Sequence, residues 1–138
     1  MGWFSFGDVT WVGVAVATLA AFIVGFVWYH PRGLGTAWSR LAGVDLGAVR
    51  AGMAPRAGLA LLVLALTAVV FNVLQAELLV TSVVGGLVFG AFVALVLRLA
   101  WGFLHGAYES RPVMLTVIDG AHDVVALGVI GAVLSAFL

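Results

Sequence analysis

The chain has 138 residues, 64% hydrophobic and 9% charged, with no cysteine and zero formal net charge; its mean hydropathy is +1.25. Soluble domains average about 45–50% apolar and about 25% charged residues, so this composition excludes an ordinary cytosolic globule, whose surface so few polar groups would leave uncovered. A disordered chain, a disulfide-stapled secreted domain and a nucleic-acid binder are excluded as well, because the six basic residues are not clustered into a nucleic-acid footprint.

What remains is a single transmembrane domain over residues 1–138. Crossing ~30 Å of hydrocarbon takes ~20 mostly apolar residues in a helix. Val9 to Tyr29 is the first such run and is uncharged. Its length and the lack of a positive leading region read against a signal peptide, and Phe6 breaks the myristoylation pattern. Ala57 to Gln75 is the second run, Ser82 to Leu104 the third, and Val113 to Leu138 the fourth. The expected fold is all-α: an integral membrane four-helix bundle with antiparallel, up-and-down spans.

The segments between spans differ in character. Pro31, Gly33 and Gly35 break the helix after Tyr29 and open the one long loop, residues 30–56. Thr36 to Gly43 reads as a short interfacial helix with Trp38, Leu41 and Ala42 toward lipid and Arg40 snorkelling to the headgroups. It serves as an anchor or, on a sharper reading, as a lid over a vestibule. Asp45 is the expected N-cap of a turn through Arg50, and Pro55 fits the first turn of the second span. Trp3, Trp11, Trp28, Tyr29, Trp38, Trp101 and Tyr108 fall near span ends, as interface belts do, and need no further role.

All the basic residues are arginines, and they set orientation. Arg32, Arg40, Arg50 and Arg56 follow the first span, while Arg98 and Arg111 lie at the end of the third. The positive-inside rule places loops 30–56 and 105–112 in the cytoplasm and both termini outside, with Asp8 and Glu77 on the outer side. A multi-pass protein of a cell membrane, as in a bacterial inner membrane, is implied.

Small residues mark contact faces. Gly13, Ala17, Ala21 and Gly25 form a stripe expected to serve intrachain contacts, and Gly128, Ala132 and Ala136 repeat the pattern. Gly86 and Gly90 fit either the bundle or an oligomer interface.

Ionisable residues inside spans are costly, so they are the functional candidates. Asp119, His122 and Asp123 share one helix face, and Arg98 on the antiparallel neighbour reaches similar depth. His105, Tyr108, Glu109 and Arg111 form a second cluster at the cytoplasmic end. Three readings follow: an ion pair of Arg98 with Asp119 or Asp123 that fixes helix register, a proton or ion path through His122, or a metal site drawn from His105, Glu109, Asp119, His122 and Asp123. A bis-histidine haem using His30, His105 or His122 is weaker, and the sequence identifies no cofactor. Asn72 and Gln75, near the outer end of the second span, read as interhelical hydrogen-bond partners. No phosphate loop, nucleophile elbow or Ser–His–Asp arrangement is present, which reads against an enzyme.

The stretch Ala20-Ala-Phe-Ile-Val-Gly-Phe-Val-Trp-Tyr-His-Pro, with Trp11 before it and Gly35, Trp38 and Gly43 after it, resembles the first signature of the domain-of-unknown-function family 1761. Tyr108-Glu109, Arg111-Pro112, Leu115, Ile118 and Gly131-Ala-Val-Leu resemble the second, so the likeness runs from Trp11 to Phe137. The resemblance implies four spans and membrane residence, and no activity. At Asp119, His122 and Asp123 the chain departs from that pattern, which more often carries Asn, Tyr, and Tyr or His. The expected function is a transport or channel-like role of the Arg98/Asp119/His122/Asp123 cluster in a homo-oligomer, with lipid and other membrane proteins as partners and no nucleic acid. The alternatives are a non-catalytic scaffold or accessory subunit and a membrane metal-binding enzyme.

Overall fold

The computed structural model describes residues 5–138; Trp3, expected in an interface belt, lies outside them. After a 3₁₀ turn at Phe6–Asp8 come α1 (Trp11–Trp28), α2 (Gly35–Ala42), α3 (Leu46–Ala51) and α4 (Met53–Glu77). Next are α5 (Val83–Ala94), a π-helical segment (Leu95–Ala100), α6 (Trp101–Tyr108) and α7 (Val113–Ser135), with no strand among the described residues. Four helices are long and apolar enough to cross a membrane: α1, α4, the continuous Val83–Tyr108 and α7.

Two boundaries differ from expectation. The second span starts at Met53 rather than Ala57, and the third runs on to Tyr108 rather than ending at Leu104. Nothing between His105 and Tyr108 interrupts the helical backbone, so residues expected in a loop form the last turn of α6. Only Glu109 to Pro112 remain as the connection.

Three helices end in the same way. Val44 N–H donates to the Ser39 carbonyl, Val80 N–H to Gln75 and Arg111 N–H to Gly106, each closing a six-residue C-terminal motif. The motif places one residue in the left-handed region, and these are Gly43 (φ 67), Leu79 (φ 56) and Ser110 (φ 53). Only glycine occupies that region without steric cost. At α3 the expected cap is present, with Asp45 Oδ2 accepting from Ala48 N–H at 2.9 Å.

Helix α7 is the axis of the bundle, meeting α1, α4, α5, the π segment and α6. The α5–α7 interface is the most extensive. A Cβ added to Gly86 would strike the Gly131 carbonyl, one on Gly131 would strike the Gly86 carbonyl, and one on Gly90 would strike the Leu127 carbonyl. Hydrophobicity does not drive helices together in lipid, so backbone-to-backbone contact of this kind holds them. Gly86 and Gly90 are therefore used inside the chain. So is the α1 stripe, whose Gly13 meets Phe137 and whose Gly25 meets His122.

Gly86, Gly90, Ala94, Arg98, Gly102 and Gly106 recur at every fourth residue of the third span. On a regular 3.6-residue helix such a stripe drifts about 40° per step, or about 200° from its first member to its last. The π segment, with its wider turns, takes up part of that drift. Gly86 thus faces Gly131 at one end, while Gly102 and Gly106 face Thr116 at the other.

Candidate functional site

The site forms where α1, the π segment and the Glu109–Pro112 connection converge on the first turns of α7. Asp119, His122 and Asp123 share one face of α7, as their spacing requires. Arg98 sits within the π segment, and its Nε donates to Asp123 Oδ2 at 2.9 Å. Of the two carboxylates within its expected reach, Arg98 takes Asp123. Asp119 is taken from two other directions: Arg111 Nη2 forms an ion pair with Oδ2, and Tyr29 Oη donates to Oδ1 at 2.8 Å.

His122 lies between the two pairs. Its Nδ1 stands 3.0 Å from Asp123 Oδ1. An ionised carboxylate only accepts, so Nδ1 carries the proton in that bond. The opposite nitrogen, Nε2, is buried and has no partner. Aromatic rings enclose it: Tyr29 at 5.0 Å and Trp28 at 6.1 Å between ring centroids. Trp28 Nε1, Trp38 Nε1 and Arg111 Nε are also buried without partners.

Helix α2 closes this end. It contacts α7, and the Trp38 ring meets Tyr29 edge-on at 5.8 Å. The expectation that Trp38 faces lipid is corrected: the aromatic tier over Asp119 and His122 draws its ring inward, and only Arg40 and its neighbours on the far side stay exposed. Trp28 and Tyr29, expected to serve only as interface anchors, are likewise part of the site. The breaker Pro31-x-Gly33 made the turn legible, but nothing in the sequence says that a span-end tyrosine meets a carboxylate on α7, 90 residues away.

A cleft of about 610 Å³ opens onto these groups, lined by Tyr29, Arg98, Trp101, His105, Glu109, Arg111, Asp119, His122 and Asp123, among others. The Arg98 side chain is 63% exposed, against 21% for Asp123. The expected second cluster does not hold together. Arg111 belongs to the main site, His105 and Glu109 line the cleft, and Tyr108 is 87% exposed and does not line it. His105 rests against the Trp101 ring at 5.8 Å.

Among the described residues no three His, Asp or Glu side chains gather as metal ligands. Of the metal candidates, His105 and Glu109 stand apart from the Asp119/His122/Asp123 face, whose carboxylates are engaged by arginines. His30 accepts from Arg32 N–H at 3.2 Å and meets the Phe26 ring, so it is occupied within its own turn.

At the opposite end of the bundle, Asn72 Oδ1 accepts from Thr10 N–H at 3.0 Å. Gln75 Nε2 donates to the Gly131 carbonyl at 3.0 Å and to Ser135 Oγ at 3.1 Å. Ser135 Oγ in turn donates to the Val80 carbonyl. These are the interhelical hydrogen bonds expected of the two amides. Between the two polar ends lies an apolar core that includes Ala17, Ala21, Ala68, Phe71, Ala126 and Ile130.

A family model described as a protein of unknown function (DUF1761) matches residues 12–135. No curated protein and no solved structure matches the chain. Nearly the whole bundle, including every residue of the α7 cluster, falls inside the matched region, and the chain belongs to the DUF1761 family.

Proposed function

We propose that this is a small transport protein of a bacterial inner membrane, in which the Arg98/Asp119/His122/Asp123 cluster exchanges protons between the cleft and the bundle interior. The observation that carries this reading is His122. Within a span it holds one nitrogen on Asp123 and keeps the other buried and unpartnered beside an open cleft. Histidine titrates near neutral pH, and an intramembrane histidine beside a carboxylate is suited to passing a proton.

The apolar core between the two polar ends blocks a continuous polar route within one chain. Transport therefore calls for a second copy or a rearrangement of α1 against α7. The arginine distribution supports an orientation with loops 30–56 and 109–112 in the cytoplasm and both termini outside.

The test is proton flux into vesicles holding the purified protein and a pH-sensitive dye. Wild type should carry flux that Asp123→Asn and His122→Gln abolish. Wild-type vesicles as tight as empty ones, at every pH and potential, would overturn the reading.

A second reading, a non-catalytic scaffold or accessory subunit, is favoured by one feature: the two arginines are matched one to one with the two carboxylates, as in a register lock. In that case gentle extraction co-purifies a stoichiometric membrane partner, and Asp123→Asn weakens the complex without any effect on proton permeability.

A further inference from the structure

The two ends of the molecule carry opposite charge. All six arginines lie at the α2 end with Asp45, Glu109, Asp119 and Asp123, whereas only Asp8 and Glu77 lie at the other. The α2 end thus has two positive charges in excess. The excess is local, because Asp123 takes Arg98 and Asp119 takes Arg111. Arg32, Arg40, Arg50 and Arg56 are all exposed, and none joins an ion pair among the described residues. Asp45, the one acid near them, is committed to the N-terminus of α3.

These arginines do not sit on a loose loop. Helix α2 contacts both α7 and α3, and Arg56 Nη1 donates to the Val49 carbonyl at 3.0 Å, tying α3 to the start of α4. Leu34, Val44 and Met53 are exposed among them. Unpaired cations interleaved with exposed apolar side chains, at the end of a membrane bundle, match the chemistry of a membrane interface: phosphate outside and acyl chain beneath.

We propose that residues 30–56 form a docking platform for anionic phospholipid headgroups, with Arg32, Arg40 and Arg50 on the phosphates and Leu34, Val44 and Met53 in the acyl boundary. Because Trp38 on the inner side of α2 rests on Tyr29, lipid charge felt by Arg40 bears on the element that covers the α7 cluster. The platform is independent of proton exchange at His122.

The test uses the full chain in nanodiscs of equal phosphatidylglycerol and phosphatidylcholine, released for native mass spectrometry. Anionic lipid is present in both leaflets, so the outcome does not depend on orientation. Wild type should retain phosphatidylglycerol preferentially, with the preference falling as salt rises. Each of Arg32→Gln, Arg40→Gln and Arg50→Gln should reduce it about fivefold, the factor equivalent to ~1 kcal/mol per basic residue at a charged surface. The single variants are read beside their helix content, and Arg40→Lys should restore the preference that Arg40→Gln loses. Equal retention of the two lipids overturns the proposal. So does a preference unchanged in the three variants but lost in Arg98→Gln, which would place the lipid in the cleft. Displacement of the anionic lipid by millimolar inorganic phosphate overturns it too, marking a site for a soluble anion.

Discussion

The two ends of α7 solve the problem of polar groups in a membrane differently. At the Ser135 end, neutral groups are spent on neighbouring helices: Gln75 on Gly131 and Ser135, and Ser135 on Val80. Backbones close to contact distance there through Gly86 and Gly131. At the Asp119 end the groups are charged, the helices stand apart around a cleft of about 610 Å³, and several donors and one histidine nitrogen stay unpaired. The first arrangement builds a closed joint. The second holds charge in reserve, and that difference locates function at one end of the helix.

Substitutions at the closed joint should have the largest effect on stability. Gly90→Leu drives a side chain into the Leu127 backbone, which leaves no flexible atom to yield, and should cost ~3 kcal/mol or more. A denaturant titration in mixed micelles measures it, and an unchanged midpoint would contradict the α5–α7 contact. Gln75→Leu removes the bridge to α7 while keeping bulk, and should cost ~1 kcal/mol by the same assay.

Substitutions at the open end should change chemistry more than stability. Gly25→Ala sets a methyl 3.2 Å from His122 Nε2. The buried nitrogen must yield, so the His122 imidazole resonances in NMR should shift while the fold persists. Tyr29→Phe removes the hydroxyl on Asp119 Oδ1. Its expected cost is ~1 kcal/mol, and the added effect of Trp38→Ala should be smaller in that background than in wild type, since Trp38 rests on the same ring. Arg98→Gln should have the least effect on stability, because its side chain is 63% exposed; pairs of this kind contribute ~1 kcal/mol or less.

The sequence made the architecture legible because each span is long, apolar and bounded by arginine, proline or glycine. It also placed Asp119, His122 and Asp123 on one face, since i, i+3 and i+4 spacing fixes that within a single helix. Partner choice was less accessible. That Arg98 takes Asp123 depends on how the π segment turns it, and a π segment has no composition that sets Leu95 to Ala100 apart from any other apolar run. Tyr29 and Arg111 reach Asp119 by the way chain ends fold over α7, which no local periodicity encodes. The lipid-facing reading of Trp38 failed for the same reason: its inner neighbour belongs to a distant span.

The π segment also bears on how this chain tolerates change. Its side chains are apolar apart from Arg98, and many exchanges among them would pass unnoticed. Its length is another matter. Removing one residue between Leu95 and Ala100 restores a regular helix but turns everything after it by about 100°. Gly102 and Gly106 would leave Thr116, and the Glu109–Pro112 connection would no longer deliver Arg111 to Asp119. Selection on these six positions should therefore act on how many residues there are more than on which ones, so that related chains vary freely here in letters and hardly at all in number.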